Sequence, residues 1–236
     1  MWSGPRNIST AMMRSFGARS DTWVIDEPFY AAYLAATGAQ HPMADEVMSS
    51  QPVDWMDVVA DLEEDTANGR AIYYQKHMTH HMLPGFGLDW MAACRNAFLI
   101  RAPELVLASY IQKRDAVELA DIGFVQQAEI FDREAQRLGR APPVVEGRDV
   151  LVDPAGVLSK LCAALGIPWT TEMLSWTAGR RETDGVWAPA WYDAVERSTG
   201  FGPPPREEAE PLPAHLQHIA DTARPHYEKL AKWKIS

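Results

Sequence analysis

The sequence predicts an α/β protein: a parallel sheet with helices on both faces, in three layers. Three observations carry this. Short apolar, β-branched or aromatic runs recur at 24–26, 71–76, 96–101 and 143–146. Stretches with helical apolar spacing lie between them. The run at 96–101 is apolar without alternation, as a strand covered on both faces should be. Strands alternating with helices imply right-handed βαβ units in one sheet. The length, 236 residues, suits one domain spanning 1–236.

In chain order, residues 24–26 follow Thr22 and Trp23 as a short buried strand, and 29–36 read as helix. Within 54–67, Trp55, Val58, Val59 and Leu62 fall on one helical face, and Asn68-Gly69 is expected to cap its end. Residues 71–76 are a strand. Pro103 suits the first turn of a helix over 103–114. A longer amphipathic helix covers 122–138 and stops at Gly139. After the strand at 143–146, Asp153 caps a helix whose first residue is Pro154; Gly166 closes it and Pro168 blocks its continuation. Residues 200–213, with five prolines and three glutamates, read as a surface loop. The tail 213–233 reads as helix interrupted at Pro225.

Composition removes several classes of function. Apolar residues make up 47% and charged residues 23%, too much apolar surface for a disordered chain. The net charge of −10 argues against general nucleic-acid binding, which rewards positive charge. The two cysteines, Cys94 and Cys162, form no disulfide framework or paired zinc motif and suit a reducing compartment. No run of about 18 apolar residues is present and the first residues lack an apolar signal core, so a soluble cytoplasmic protein with no membrane partner is expected. Oligomeric state is open, a dimer included.

Positive charge is uneven. Residues 1–20 hold Arg6, Arg14 and Arg19 with no acid, and 16 of the 22 basic residues are Arg. Arginine's forked donors suit planar, multi-oxygen anions. The stretch Ser3-Gly4-Pro5-Arg6-Asn7-Ile8-Ser9-Thr10 leads into the amphipathic run 11–16. A glycine-containing turn that feeds a helix N-terminus gathers free N–H groups at one point and makes an anion site. The bland alternative is that Asn7 or Ser9 only caps a helix. The Gly-x-x-x-x-Gly-Lys-Ser/Thr loop of nucleoside triphosphatases is absent.

The segment Pro5-Arg6-Asn7-Ile8-Ser9-Thr10 resembles the 5′-phosphosulfate loop of the sulfotransferases, usually Pro-Lys-Ser-Gly-Thr-Thr. Arg101, followed eight residues later by Ser109, is similar to that family's 3′-phosphate segment. Residues 180–187, Arg-Arg-Glu-Thr-Asp-Gly-Val-Trp, keep the spacing of its Arg-Lys-Gly-x-x-Gly-Asp-Trp loop, with Glu182 and Val186 in place of Gly and Asp. Residues 147–169 look like the strand-helix region between the last two motifs. Only Met1 and Trp2 precede Ser3, so the strand before the loop is short.

The resemblance implies the P-loop-like sulfotransferase fold and the donor 3′-phosphoadenosine 5′-phosphosulfate, with a hydroxyl or amine of a small molecule as acceptor. By carry-over, Gly4, Pro5, Arg6, Asn7, Ile8, Ser9 and Thr10 cradle the 5′-phosphate. Arg101 and Ser109 hold the 3′-phosphate with Arg180 or Arg181, and Trp187 lies near the adenine. Arg6 stands where the family has a catalytic Lys.

Sulfuryl transfer also needs a base for the acceptor proton. Glu27, at the end of the second strand, is the first candidate; pairing with an Arg or capping of the next helix is its bland reading. The second is the cluster Lys76-His77-Met78-Thr79-His80-His81, in which Lys76 matches a strand-end lysine of other family branches and His77 is the nearest histidine. His77 and His81 at i, i+4 on a helix would suit a metal, but no further ligand completes a site and none is expected. Trp55, Trp90, Trp169, Trp176, Trp187 and Trp191 read mostly as core. Two alternatives to the transferase remain: a nucleotide-binding module of this type without transfer activity, and a small-molecule kinase.

Overall fold

The computed structural model describes residues 1–64, 67–112, 116–204 and 211–235. Five parallel strands form one sheet: β1 (Trp2–Ser3), β2 (Thr22–Asp26), β3 (Ile72–Met78), β4 (Phe98–Ile100) and β5 (Val144–Glu146), in the order β2-β3-β1-β4-β5. Register pairs Trp2 with both His77 and Phe98, so the two-residue β1 is the central strand. Met1 extends it: its amino group donates to the Gln75 carbonyl and its own carbonyl accepts from His77.

Strand side chains alternate between two apolar faces, as period-2 geometry requires. Val24, Tyr74, Leu99 and Val145 pack with α1 (Ser9–Gly17), α2 (Tyr30–Thr37) and α3 (Ala44–Ser50). Trp2, Phe98, Ile100 and Val144 face the other way, with α4 (Trp55–Glu64) and, further along, the long helix of residues 124–138. The two layers of helices therefore enclose the sheet, as the lack of alternation at 96–101 implies.

The remaining helices are α5 (Pro103–Tyr110), α6 (Leu119–Ile122), α7 (Phe124–Leu138), α8 (Gly147–Val152), α9 (Pro154–Leu165), α10 (Ala188–Trp191), α11 (Asp193–Glu196) and α12 (Ala214–Ala231). α9 starts as expected, with Asp153 Oδ1 accepting from the Gly156 amide at 2.9 Å, and ends on a left-handed Gly166.

Several expectations need correction. The helix expected over 122–138 breaks at Gly123, whose φ is +66°. A Cβ there would lie 2.5 Å from Thr79 Oγ1, so only glycine permits this close approach. The helix from Pro103 stops at Tyr110; part of its expected end, 113–114, lies outside the described residues. α4 ends at Glu64, and Asn68-Gly69 form a left-handed turn before β3 instead of its cap; 65–66 lie outside the described residues. The expected interruption at Pro225 does not occur. Proline removes one helical hydrogen bond, but Leu216, Ala220, Ala223 and Leu230 are buried against α5, α7 and the sheet and hold α12 through it. Of the proline-rich loop, 205–210 lie outside the described residues.

Among the described residues no helix is long and apolar enough to cross a membrane.

Candidate functional site

β1 to β4 all end at one rim of the sheet, and the residues that follow them meet in a cleft of about 490 Å³. The loop after β1 supplies residues 5–11, β2 leads to Glu27, β3 supplies Lys76 and Met78, and β4 leads to Arg101. This is the usual ligand position in an open parallel sheet.

The loop after β1 is held by backbone constraints. A Cβ on Gly4 would lie 2.8 Å from the Ile122 carbonyl oxygen, so the loop passes α6 at a distance only glycine allows. Arg6 has a φ of +56°, in the left-handed region. Asn7 Oδ1 accepts from the Ile8 amide at 2.9 Å, and its Nδ2 donates to the Leu99 carbonyl. Asn7 thus ties the loop to β4 through its side chain. No side chain caps α1, so the first N–H groups of that helix, at Ser9, Thr10 and Ala11, open toward the cleft with their dipole.

Two guanidinium groups meet here. Arg6 Nε donates to Ser109 Oγ at 3.1 Å, and Arg101 Nη1 donates to the Arg6 carbonyl oxygen at 2.5 Å. Burial lowers the proton affinity of Arg6, and that of Arg101 is lowered by burial and then by Arg6 itself. Among the described residues neither arginine has a carboxylate within ion-pair distance. Glu146 opposes this at Arg101, but with no ion pair made, two adjacent and partly buried cations favour an anion beside them. Arg6, Arg101 and Ser109, distant in sequence, are brought together.

Beside this lies a buried polar cluster. Lys76 Nζ donates to Glu27 Oε1 at 2.6 Å, to Asp26 Oδ1 at 2.9 Å and to the Tyr192 hydroxyl at 2.7 Å. Tyr192 donates to Asp26 Oδ2 at 2.6 Å, and the Gly185 amide donates to the same oxygen. Burial pushes the Glu27 carboxyl up, with Lys76 opposing and Asp26 adding to the rise. Burial alone would lower Lys76, but Asp26 and Glu27 outweigh it and hold it protonated. The Glu27 backbone is left-handed, with φ +42°, which turns its side chain off the strand direction.

Other predicted residues fall elsewhere. His77 lies on the opposite face of β3 from Lys76. Its ring stacks on Trp2 at 4.5 Å and packs against Phe29 and Trp90, and its Nε2 meets Gln75 Oε1 at 3.0 Å. Strand alternation puts it in the core, so it does not reach the cleft, and it shares no helix with His81. His80 and His81 follow β3 in a single tight turn and do line the cleft. Burial pushes His80 down to about 3 and His81 well below its ordinary value, so both rings are neutral at physiological pH. Among the described residues no group of three or more His, Cys, Asp or Glu is arranged to hold a metal.

Arg180 and Arg181 line a different cleft, at the start of β2. The turn that separates them from Trp187 is fixed by Asp184, whose Oδ2 accepts from the Arg181 amide at 2.7 Å and from Arg14. Trp187 reaches the cleft wall but is 1% exposed, with Nε1 donating to the Tyr192 hydroxyl at 3.1 Å. It is part of the wall and offers no open ring face for an adenine.

Sequence reasoning missed Asp26 and Tyr192 as members of the site. An acid ending an otherwise apolar strand was a signal for Asp26; Tyr192, in a short connection between two one-turn helices, carried none.

Comparison with known proteins gives the family and the fold. The family described as "Sulfotransferase domain" matches residues 1–232. The chain is similar in fold to the sulfotransferase domain from the Synechococcus PCC 7002 olefin synthase (17% identity, TM-score 0.61, covering 98% of this chain and 92% of that one). It is also similar to the sulfotransferase domain from the curacin biosynthetic pathway (16% identity, TM-score 0.53, covering 94% and 95%). It is 37% identical over 203 residues to branched-chain-amino-acid aminotransferase-like protein 1 of Arabidopsis thaliana, and 36% identical over 204 residues to protein 2 of that name. Each match covers 86% of this chain but only 36% of the plant protein. From the match over 1–232, with the parallel sheet and loop that accompany it, the chain belongs to the sulfotransferase domain family.

Proposed function

We propose that the protein transfers a sulfuryl group from 3′-phosphoadenosine 5′-phosphosulfate to a hydroxyl or amine of a small acceptor. The observation that carries this reading is the meeting of Arg6, Arg101 and Ser109 with the uncapped N-terminus of α1, beside Glu27. The residues fit the donor's charge: two guanidiniums lacking carboxylate partners, a hydroxyl and open backbone amides are a donor set for phosphate oxygens.

Arg101 and Ser109 hold the 3′-phosphate, and Arg6 with the backbone of 8–10 holds the 5′ end. When bound, the donor supplies a sulfuryl group on a phosphate oxygen. Arg6 and the α1 dipole balance charge gathering on that phosphate as the group departs. Glu27 accepts the acceptor's proton. Lys76 opposes the effect of burial on Glu27 and so favours its ionised form; with three bonds already made, Lys76 is a positioning residue here. Tyr30, His81, Trp191 and Phe201 supply a mainly aromatic wall for the acceptor.

A second reading, nucleotide binding without transfer, draws support from the placement of Arg180 and Arg181 outside this cleft. Titration with 3′-phosphoadenosine 5′-phosphate followed by transfer assays with radiolabelled donor and a panel of hydroxyl and amine acceptors separates the two. Binding with transfer supports the transferase, binding without transfer supports the module, and no binding at millimolar nucleotide removes both. The kinase alternative would require magnesium-dependent turnover of ATP by a loop without Gly-Lys-Ser/Thr. The names of the plant relatives describe proteins mostly outside the matched segment, and no aminotransferase activity is carried over.

A further inference from the structure

A larger cleft, about 860 Å³, opens at the opposite end of β2, where α1 ends and the strand begins. Five arginines line it, Arg14, Arg19, Arg70, Arg180 and Arg181, against one acid, Glu182. Two of them are buried and compensated. Arg14 bonds Asp184 at 2.7 Å, and Arg19 bonds Asp21 at 2.8 and 2.9 Å. Even so, Arg14 Nε, on a side chain 3% exposed, is buried with no hydrogen-bond partner among the described residues.

The other three have no carboxylate partner among the described residues. Arg70 donates to the Ser20 carbonyl, Arg181 donates to Thr177, and Arg180 makes no polar contact among the described residues. In a chain of net charge −10, this local excess of cations stands out. A multi-oxygen anion in this opening would meet three guanidiniums that make no ion pair among the described residues. Arginine's fork matches phosphate oxygens two at a time. The volume exceeds what a single phosphate needs and accommodates a nucleotide-sized molecule, and Trp23 and Trp176 add aromatic surface to the lining.

We infer that this cleft is a second binding site, for a multiply phosphorylated small molecule, separate from the cleft at the carboxyl ends of the strands. The site stands apart from the reading of Arg6 and Arg101, and its test leaves that reading untouched. Inorganic tripolyphosphate and, separately, ATP without added metal are titrated calorimetrically into the full chain at low ionic strength. The same titrations are run on Arg101→Ala, which disables the other cleft, and on the double variant Arg180→Gln/Arg181→Gln.

The expected result is binding that Arg101→Ala leaves intact and the double variant weakens at least tenfold, with affinity falling as salt rises. Equal affinity for the two probes assigns recognition to the phosphates alone; tighter ATP binding assigns it to a nucleoside phosphate. Binding lost in Arg101→Ala but unchanged in the double variant overturns the inference, as does no binding of either probe to the unmodified chain. Thermal unfolding checks that the double variant is folded. The single variant Arg180→Gln, at a residue with no polar contact to lose among the described residues, serves if it is not, with a loss of at least threefold expected and unchanged affinity overturning the inference.

Discussion

Arg101 Nη1 donates to the carbonyl oxygen of Arg6 at 2.5 Å, and Arg6 is the residue of that loop held at φ +56°. A left-handed conformation costs a non-glycine residue about 1–2 kcal/mol, so it persists only where surrounding contacts impose it. Here the contact comes from the end of β4, and it leaves Arg6 Nε on Ser109 Oγ of α5. One guanidinium thus shapes the backbone that aims the other.

Replacing Arg101 should therefore cost more than one phosphate contact. A charge-assisted hydrogen bond is worth about 1.5–3 kcal/mol, so Arg101→Ala is expected to weaken binding of 3′-phosphoadenosine 5′-phosphate by roughly tenfold to a hundredfold. Arg101→Lys should recover only part of this, because lysine keeps the charge but lacks the fork. Calorimetric titration checks both; unchanged affinity in Arg101→Ala would remove Arg101 from the site.

Glu27→Gln should leave nucleotide affinity unchanged and lower turnover by about 10²–10⁴-fold, the range for loss of a general base. Burial raises the Glu27 carboxyl, so the protonated, inactive form persists to higher pH than for an ordinary carboxylate. Turnover should rise with pH through that raised value, and Glu27→Gln should lack this acid limb. A pH–rate profile of the two proteins decides.

Lys76 sits between two carboxylates and is 1% exposed. Removing one partner of a buried ion pair strands the other, at a cost of about 3–5 kcal/mol. Lys76→Met is therefore expected to lower the urea midpoint strongly. Tyr192→Phe, which removes one hydroxyl from the cluster, should cost about 1–3 kcal/mol. Near-equal midpoints for Lys76→Met and the parent protein would show that the cluster does not stabilise the fold.

Glu146 gives a stability signature at another place. Burial raises its carboxyl to about 7 in the fold, from an ordinary 4.5, with the bond from the Tyr227 hydroxyl of α12 opposing. The folded state thus holds the proton more tightly than the unfolded chain. The contribution to stability is full below about 4.5 and is lost as pH rises through about 7. The total is on the order of 3 kcal/mol. Urea midpoints at pH 5 and pH 8 should differ more for the parent protein than for Glu146→Gln, whose side chain does not titrate.

Much of this protein is legible along the chain. The strands at β2, β3, β4 and β5 lie where apolar runs place them, and the loop from Gly4 to Thr10 carries its chemistry in consecutive residues. Arg101 and Glu27 are readable because each directly follows a strand, and parallel strands deliver their following residues to one rim. Breaks that depend on contact are less legible. Gly123 divides a continuous helical pattern because Thr79 and His80 press against it, and Pro225 fails to divide one because its neighbours are buried.

By itself, the order of residues determined the parallel sheet, the glycine-containing turn from Gly4 to Thr10 and the end of the sheet at which Arg6, Glu27, Lys76 and Arg101 emerge. These follow from local periodicity and from the direction of the strands. Only the tertiary structure decided which face of β3 receives His77, where Arg180 and Arg181 point, and that Asp26 and Tyr192 close around Lys76. Those outcomes depend on strand register, loop path and burial, which arise from contacts between residues far apart in the chain.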